Sequence, residues 1–395
     1  MRFNLILFFC ILGVLSFFYY DFLIPPKYEQ FVSLASSFLQ GELYFPSATF
    51  DAAIYRGHYY WPLGPFPAIL LTPFVYLFGS SVQQGYLMLL LNIFNMFLLF
   101  RITKKLSANL TNSLMMSFAI LFSTAYLGIA LTPSPWSLGQ IVGFTLTLSA
   151  LEAYFFNRSW LIIGIYIALA YATRISLILT SIFFILNLFH SDFSAKIKTQ
   201  KLALLIIPII VSIIMIGFYN YARFGDFLET GYAKQYLEGP VTVNRDFGLW
   251  SLIHIPTNLY YMFLKMPDPI FTSGTQIMQF PYLSIDGSGL SIFITSPIFI
   301  WILFSNWKKL QVKFAAITGL IMLLALSGSF TTGGWSYGYR YAVDFYPFIF
   351  IILIYSFKNT VSYKFIIVAV LSFLINLYFI NSIFYPINTY FKWIF

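Results

Sequence analysis

The chain has 395 residues, of which 59% are apolar and only 9% are charged, and its mean hydropathy is +0.81. Soluble domains carry about 25% charged residues, so this composition excludes a soluble protein and indicates a polytopic membrane protein. The net charge of +9 suggests a nucleic-acid partner, but the basic residues fall in short loops between apolar runs. We therefore expect contacts with membrane lipids and no nucleic-acid binding.

Apolar runs predict about eleven membrane-spanning helices in a single polytopic domain, residues 1–395. The first run, residues 4–20, follows Arg2 as in a signal peptide. No small-residue cleavage site comes after it, so we interpret it as an uncleaved helix. The later runs cover residues 85–100, 112–131, 138–156, 159–189, 202–219, 290–304, 314–326, 345–357 and 365–384. The fold class that this pattern predicts is an all-α membrane protein.

Short loops between the runs predict the orientation in the membrane. Together with the amino terminus they hold thirteen of the 22 basic residues but only two acids, Glu152 and Asp192. Such loops lie in the cytoplasm, so the first loop (residues 21–84) and a second region (residues 221–289) lie outside. The chain then starts inside and ends outside. The cytoplasmic basic residues are Arg2, Arg101, Lys104, Lys105, Arg158, Lys196, Lys198, Lys201, Lys308, Lys309, Lys313, Lys358 and Lys364.

Two apolar runs do not fit a simple crossing. Residues 64–78 contain three prolines, and a crossing there would move the acidic first loop to the lysine-rich side, so we predict a juxtamembrane segment. Residues 159–189 have cytoplasmic signals at both ends, and one helix of that length would be about 46 Å long. We therefore predict a hairpin with Arg174 at its tip, below the outer surface, facing a polar cavity or a partner.

Other segments are predicted to lie near the outer surface. Apolar residues recur on one helical face of residues 28–40, which is typical of a helix on the membrane surface. The run at residues 345–357 is short, so the segment before it should lie near the depth of Arg174. The residues on the helical face are Phe31, Leu34, Ala35 and Phe38, and those before the short run are Tyr339, Arg340, Tyr341 and Asp344.

The first loop also contains an ordered string of motif residues. Asp51 is followed by Arg56-Gly57-His58-Tyr59-Tyr60-Trp61-Pro62-Leu63-Gly64-Pro65, and later strings read YNYARFG (219–225), LETGY (228–232) and GYRYAVDFYP (338–347). This order resembles the GT-C class of membrane glycosyltransferases, which includes protein O-mannosyltransferases and the aminoarabinose transferase of lipid A. Many members place an Asp-Glu or Asp-Asp pair before the first loop helix, where this chain has Lys27-Tyr28-Glu29.

The resemblance implies a GT-C-like fold, a large first outer loop with juxtamembrane helices, and an inverting glycosyltransferase. The donor would be a polyprenyl-phosphate sugar, and the acceptor a glycan, lipid or protein on the non-cytoplasmic face of the plasma (inner) membrane. An acceptor hydroxyl needs a base, and a positioned carboxylate can take its proton. Asp51 is the first candidate for this base and Glu29 is the second. Arginine suits the lipid phosphate because it makes bidentate hydrogen bonds.

The candidate substrate-binding residues are Arg56, His58, Tyr60, Arg174, Arg223, Arg340, Tyr341 and Asp344. Structural interpretations stay open for several of them. The arginines could form ion pairs, for instance Arg340 with Asp344 one helical turn on, and Arg223 could brace the second outer region. Aromatic residues of the first loop could anchor the protein at the membrane interface.

The three histidines are far apart in sequence, which argues against a histidine-built metal site, so no metal ligand is assigned. A divalent metal held by outer carboxylates stays open as a cofactor. Two other functions also stay open. A transporter or flippase for lipid-linked glycans should have charged or broken helices at the bilayer midplane, whereas here polar residues gather outside. A polysaccharide polymerase could depend on outer arginines without an essential carboxylate.

Overall fold

The computed structural model describes residues 2–24, 26–107, 109–237, 239–334, 336–357 and 360–384; Lys358 and the carboxyl terminus, both assigned from sequence, lie outside them. The described part is mostly helical. Its α-helices are α1 (Arg2–Phe18), α2 (Gln30–Leu39), α3 (Phe66–Phe78), α4 (Gln84–Ser107), α5 (Leu110–Phe122), α6 (Tyr126–Ala130), α7 (Pro135–Phe155), α8 (Trp160–Thr173), α9 (Ser181–Phe189), α10 (Ala195–Phe224), α11 (Pro240–Asp246), α12 (Ile255–Leu259), α13 (Ile292–Thr295), α14 (Leu310–Ser327), α15 (Tyr346–Ile354) and α16 (Tyr363–Phe384).

Two small antiparallel hairpins accompany the helices, β1 (Ala53–Tyr55) with β2 (His58–Tyr60) and β3 (Asp268–Phe271) with β4 (Met278–Ser284). The all-α prediction did not include them. Six helical segments in the described residues are long and apolar enough to cross a membrane, which makes this an integral membrane protein. They are Ile6–Leu23, Gln84–Ser107, Pro135–Phe155, Ala195–Phe224, Leu310–Ser327 and Tyr363–Ser382. The expected total of eleven crossings stays a prediction, as does the single-domain division of the chain.

Two expected spans are broken. The run at residues 112–131 ends its first helix at Phe122 and restarts at Tyr126. Side chains of α16 hydrogen-bond to the carbonyl groups at this break: Ser372 donates to Ser123 and Asn376 donates to Thr124. Backbone breaks in a membrane protein need such internal partners. The run at residues 290–304 likewise consists of α13 and a 3₁₀ helix, Pro297–Phe304.

The predicted hairpin at Arg174 is present. α8 runs parallel to α10, since Gly164 packs beside Leu205 and the Ser212 hydroxyl donates to the Ala168 carbonyl. The chain must therefore return between these two helices. It does so through Arg174, which has an extended backbone, a 3₁₀ turn (Ile175–Thr180) and α9.

The first loop (residues 21–84) packs as a layer against the helices. In α2 the predicted apolar face is buried, with Phe31, Leu34 and Ala35 fully covered. α3 begins directly after the proline-rich string, where a proline in the first turn is compatible with a helix. It packs against α2. The loop is thus built into the fold and gives Asp51 a defined position.

The second region (residues 221–289) is attached to the first loop beside Asp51. The Tyr236 amide donates to the Ala52 carbonyl at 2.9 Å, and Ala53 pairs with Gln235 in a β-bridge.

Gly64 of the first loop approaches α8 closely. A Cβ on residue 64 would lie 2.1 Å from the Ala172 carbonyl oxygen. Only glycine allows this contact, which holds the proline-rich string against the helix end that leads to Arg174.

Candidate active site

An open cleft of about 230 Å³ lies where these segments meet. It is lined by Pro62–Pro65, residues 171–176 at the hairpin tip, the end of α10, the loop after α14, and the rings of Tyr232 and Tyr341. Tyr232 lies within electrostatic range of Asp51, Arg174 and Arg340. Residues from three separate parts of the sequence therefore come together around one tyrosine.

Asp51 is held in a tight turn at the edge of this cleft. Its φ of 61° lies in the left-handed region, which Asp and Asn adopt more readily than most residues. The carboxylate accepts a hydrogen bond from the Trp136 indole and faces the positive charge of Arg340. Partial burial outweighs these two influences and raises the pKa of Asp51 to about 6. Asp51 is therefore ionised at neutral pH and is a stronger base than a solvated aspartate.

Arg340 begins the 3₁₀ helix that leads into α15, and it is only 8% exposed. Its Nε donates to the Gly333 carbonyl at 2.6 Å, and its Nη1 donates to the Gln140 Oε1 at 3.4 Å. Its guanidinium also lies 4.9 Å from the Tyr341 ring centroid. No described carboxylate lies within 4.0 Å of Arg340. Its positive charge is thus without a carboxylate partner among the described residues, and it lies next to the cleft residue Tyr341.

Arg174, not Arg340, is the ion-pair partner of Asp344. The Arg174 Nε and Nη2 both lie 3.1 Å from Asp344 Oδ2, and the Ser176 hydroxyl donates to the same oxygen. The alternative pairing of Arg340 with Asp344, suggested by their spacing, is therefore wrong.

Glu29 has a different environment from Asp51. Its two carboxylate oxygens accept from the Gln84 amide at 3.3 and 3.1 Å, at the start of α4. A carboxylate at a helix amino terminus satisfies a free amide and interacts well with the helix dipole. Burial, the larger influence, raises the pKa of Glu29 to about 7 in spite of this bond. The geometry gives Glu29 the role of a helix cap.

Arg223 lines the cleft, and its guanidinium donates hydrogen bonds to neighbouring groups of the protein. Its Nη1 donates to the Trp61 carbonyl and its Nη2 to the Asn220 Oδ1, both at 2.7 Å. The guanidinium also stacks 3.9 Å from the Tyr219 ring centroid. These contacts fit the bracing interpretation of Arg223. Tyr60 packs on Phe224 behind this wall.

Of the other candidates, Arg56 and His58 lie near Tyr60: the ring centroids of His58 and Tyr60 are 6.3 Å apart. Both are exposed at the turn of the β1–β2 hairpin, where Arg56 lies over the Tyr55 ring and His58 packs on Tyr44. In the described part of the chain neither contacts Asp51 or Arg340. The sequence could not reveal this, because the hairpin turns these side chains away from Asp51 within five residues.

The sequence analysis missed three residues of the site: Trp136, Gln140 and Tyr232. The indole of Trp136, at the start of α7, donates to Asp51. Gln140 is a fully buried amide in the membrane-spanning α7. A polar side chain inside an apolar run is itself a signal for a functional site. Tyr232 is the last residue of the LETGY string (228–232), and the sequence alone does not single it out.

No group of three or more His, Cys, Asp and Glu side chains lies close enough to hold a metal ion within the described residues. The divalent metal left open by the sequence stays a prediction.

Solved structures share this architecture. ArnT from Cupriavidus metallidurans, solved with undecaprenyl phosphate, has a TM-score of 0.55 and 10% identity over 91% of this chain and 61% of its own. Its apo form has a TM-score of 0.52, with 10% identity over 91% of this chain and 60% of its own. The apo oligosaccharyltransferase of Archaeoglobus fulgidus has a TM-score of 0.51 and 11% identity, over 96% of this chain and 55% of its own.

The chain has the GT-C fold. ArnT was solved with undecaprenyl phosphate bound, and the second neighbour is an oligosaccharyltransferase, so the resemblance inferred from the motifs is confirmed at the level of the fold. This chain spans between 55% and 61% of the length of these neighbours. No family model and no curated protein matches the sequence.

Proposed function

We propose that this protein is a glycosyltransferase that moves a sugar from a polyprenyl-phosphate donor to an acceptor on the non-cytoplasmic face of the plasma membrane. The observation that supports this most is the placement of an ionised carboxylate, Asp51, opposite Arg340, whose charge no described carboxylate pairs. These are the two groups that such a transfer requires, a base and a phosphate ligand. Both lie within electrostatic range of Tyr232, which lines the cleft of this GT-C fold.

The proposed reaction is a single displacement. The Asp51 carboxylate accepts the proton of the acceptor hydroxyl, and the hydroxyl oxygen forms a bond to C1 of the sugar. The bond between C1 and the phosphate oxygen breaks, and its electron pair leaves with the polyprenyl phosphate. Arg340 stabilises the negative charge that develops on this phosphate. An acceptor that attacks opposite the leaving group inverts the configuration at C1.

The surroundings of the cleft suit a reaction of this kind. Arg340 is buried beside neutral hydrogen-bond acceptors, where electrostatic interactions are stronger than in water. The Tyr341 and Tyr232 rings line the cleft and offer faces on which a sugar could pack. Experiment has to decide whether the acceptor is a glycan, a lipid or a protein.

The experiment incubates the purified protein with a panel of polyprenyl-phosphate sugars and acceptors, and measures donor consumption. Asp51→Asn keeps the shape of the side chain and tolerates the left-handed backbone, so it should fold normally and lose at least a thousandfold in rate. Asp226→Asn is the matched control, since Asp226 is an exposed outer acid bonded to the Leu228 amide. Equal rates for the wild type and Asp51→Asn would contradict the role of Asp51 and move it to Glu29.

The proposed membrane orientation has its own test. Asp226→Cys should react with a membrane-impermeant maleimide in intact cells, whereas Lys308→Cys should react only after lysis. The native Cys10 is buried and gives little background. The opposite labelling pattern would place the cleft on the cytoplasmic side and contradict the proposed location.

A further inference from the structure

Two buried arginines in this site are held in different ways. Arg174 is bonded to the carboxylate of Asp344, which cancels its charge. Arg340 is bonded to the amide of Gln140 and to the Gly333 carbonyl, which satisfy its N–H groups but leave its charge in place. Burying a guanidinium next to neutral partners is costly, so this arrangement needs an explanation.

Gln140 contacts Arg340 twice. Its Nε2 donates to the Arg340 main-chain carbonyl at 2.8 Å, and its Oε1 accepts from the Arg340 Nη1 at 3.4 Å. Gln140 is itself fully buried in α7. The hydroxyls of Thr145, Thr147 and Ser149 in the same helix instead donate to carbonyl groups of their own helix. A single amide therefore fixes both the backbone and the side chain of Arg340.

We propose that Gln140 is a positioning residue that fixes Arg340 without neutralising it, so that the phosphate of the donor lipid becomes the counter-ion of Arg340. This inference rests on the proposed function. An amide can do both tasks because it donates and accepts while carrying no charge. A carboxylate at the same position would accept from the same nitrogen but would compete with the phosphate.

The other charged and titratable groups around Arg340 are consistent with Gln140 positioning Arg340 and the lipid phosphate neutralising it. Asp51 lies within electrostatic range of Arg340, and so do the side chains of Tyr232 and Tyr341. Asp344 is occupied by Arg174, so this pair brings no net charge to Arg340. The Gly333 position has no side chain, since a Cβ there would lie 2.9 Å from the Arg340 Cγ and Nε. The loop carbonyl can thus approach Arg340 as a second neutral acceptor.

The test compares Gln140→Glu with Gln140→Met in binding of undecaprenyl phosphate to the purified protein in lipid nanodiscs. Gln140→Glu keeps the shape and the hydrogen bond to Nη1 but adds a counter-ion, and it cannot donate to the Arg340 main-chain carbonyl as Nε2 does. We expect its Kd for undecaprenyl phosphate to rise at least tenfold, while its apparent unfolding temperature falls less than that of Gln140→Met. Gln140→Met removes both contacts, so its unfolding temperature should fall and its affinity should weaken less. Thr147→Val on α7 is the control and should change neither quantity.

Transfer kinetics give a second measurement. In Gln140→Glu the KM for the donor should rise more than kcat falls, because the introduced charge acts on donor binding. A purely structural role predicts that Gln140→Met weakens donor binding more than Gln140→Glu, since Gln140→Glu keeps one of the two contacts with Arg340 and Gln140→Met keeps neither. Wild-type affinity in Gln140→Glu would therefore overturn the inference. A wild type that does not bind undecaprenyl phosphate would also overturn it.

The binding assay contains no sugar, so the two proposals can fail separately. A wild type that binds the lipid but transfers none of the sugars would contradict the proposed function, and the Gln140→Glu affinity would still decide the inference. Normal transfer with unchanged Gln140→Glu affinity would contradict the inference alone.

Discussion

Asp344 and Arg174 are 170 positions apart in sequence, yet the Arg174 Nε and Nη2 both lie 3.1 Å from one Asp344 oxygen. The pair joins the tip of the α8–α9 hairpin to the 3₁₀ helix that precedes α15. Both side chains are largely buried, with 12% and 1% exposure. This contact fixes the position of the 3₁₀ helix that begins at Arg340, four residues before Asp344.

Breaking this pair should cost stability rather than donor affinity. Asp344→Asn and Arg174→Met each leave one buried charge without its partner, a change that costs about 3–5 kcal/mol. The double variant Arg174→Met/Asp344→Leu removes both charges and should recover more than half of the lost stability. Apparent unfolding temperatures of the four proteins check this. A double variant that is stable but cannot transfer sugar would show that Arg174 binds substrate.

The pH dependence of transfer should identify the base. Asp51 must be ionised to accept a proton, and its pKa is about 6. We therefore expect kcat/KM to be constant above pH 7 and to fall about tenfold per pH unit below pH 6. If Glu29 were the base, the same decline would begin near pH 7, where its pKa lies. Rates measured from pH 5 to 8.5, with Asp51→Glu as the comparison, separate the two curves.

The sequence predicted those parts of the fold that depend on local patterns. The apolar face of α2 was identified correctly, because periodicity decides which side chains of an amphipathic helix share one face. This face, however, packs against the protein and not on the membrane surface as predicted. The hairpin at Arg174 followed from loop charges and helix length. The break at Ser123 did not, because it depends on Ser372 and Asn376, which lie about 250 residues away.

The candidate site was likewise predictable where local sequence decides and not where distant contacts decide. Asp51 and the arginines stood out as rare charged residues in an apolar chain, and the structure brings Asp51, Arg174 and Arg340 together. Their partners could not be assigned, because spacing favoured Arg340 with Asp344 while packing gave Asp344 to Arg174. Gln140 needed the structure, since the 200 positions between it and Arg340 carry no local signal.

The pH dependence of stability should report the burial of Glu29. Its pKa rises from about 4.5 in the unfolded chain to about 7 in the fold, so the folded state binds this proton more tightly. The stability that this proton contributes is full below about pH 4.5 and is lost as the pH rises through 7. Glu29→Gln can still accept from the Gln84 amide and carries no charge. Its unfolding temperature should match the wild type at pH 5 and exceed it at pH 8, with transfer retained.

A control for this experiment is Glu42→Gln, which changes a partly exposed acid of the same loop. It should shift the unfolding temperature by the same small amount at both pH values. A Glu29→Gln variant that is less stable at pH 8 than the wild type would mean that the ionised carboxylate stabilises the start of α4.

Asp21 provides the last prediction, because it is fully buried without a basic partner in the described residues. The other two buried acids, Glu152 and Asp344, each pair with arginine. Asp21 Oδ2 accepts from Asn92, while its Oδ1 has no partner. Since an unpaired buried carboxylate is costly, Asp21→Asn should be at least as stable as the wild type and fully active. The measurement is the apparent unfolding temperature together with the transfer rate.

Asp21→Ala separates shape from charge at this position. It removes the acceptor for Asn92 and leaves a small cavity, so it should lower stability by about 2–3 kcal/mol. Asn92 in turn accepts from the Tyr126 hydroxyl, so the loss should spread along this cluster. If Asp21→Asn were stable but inactive, the carboxylate itself would be required inside the membrane. That result would favour a transporter, in which buried ionisable groups bind protons or ions, over the glycosyltransferase proposed here.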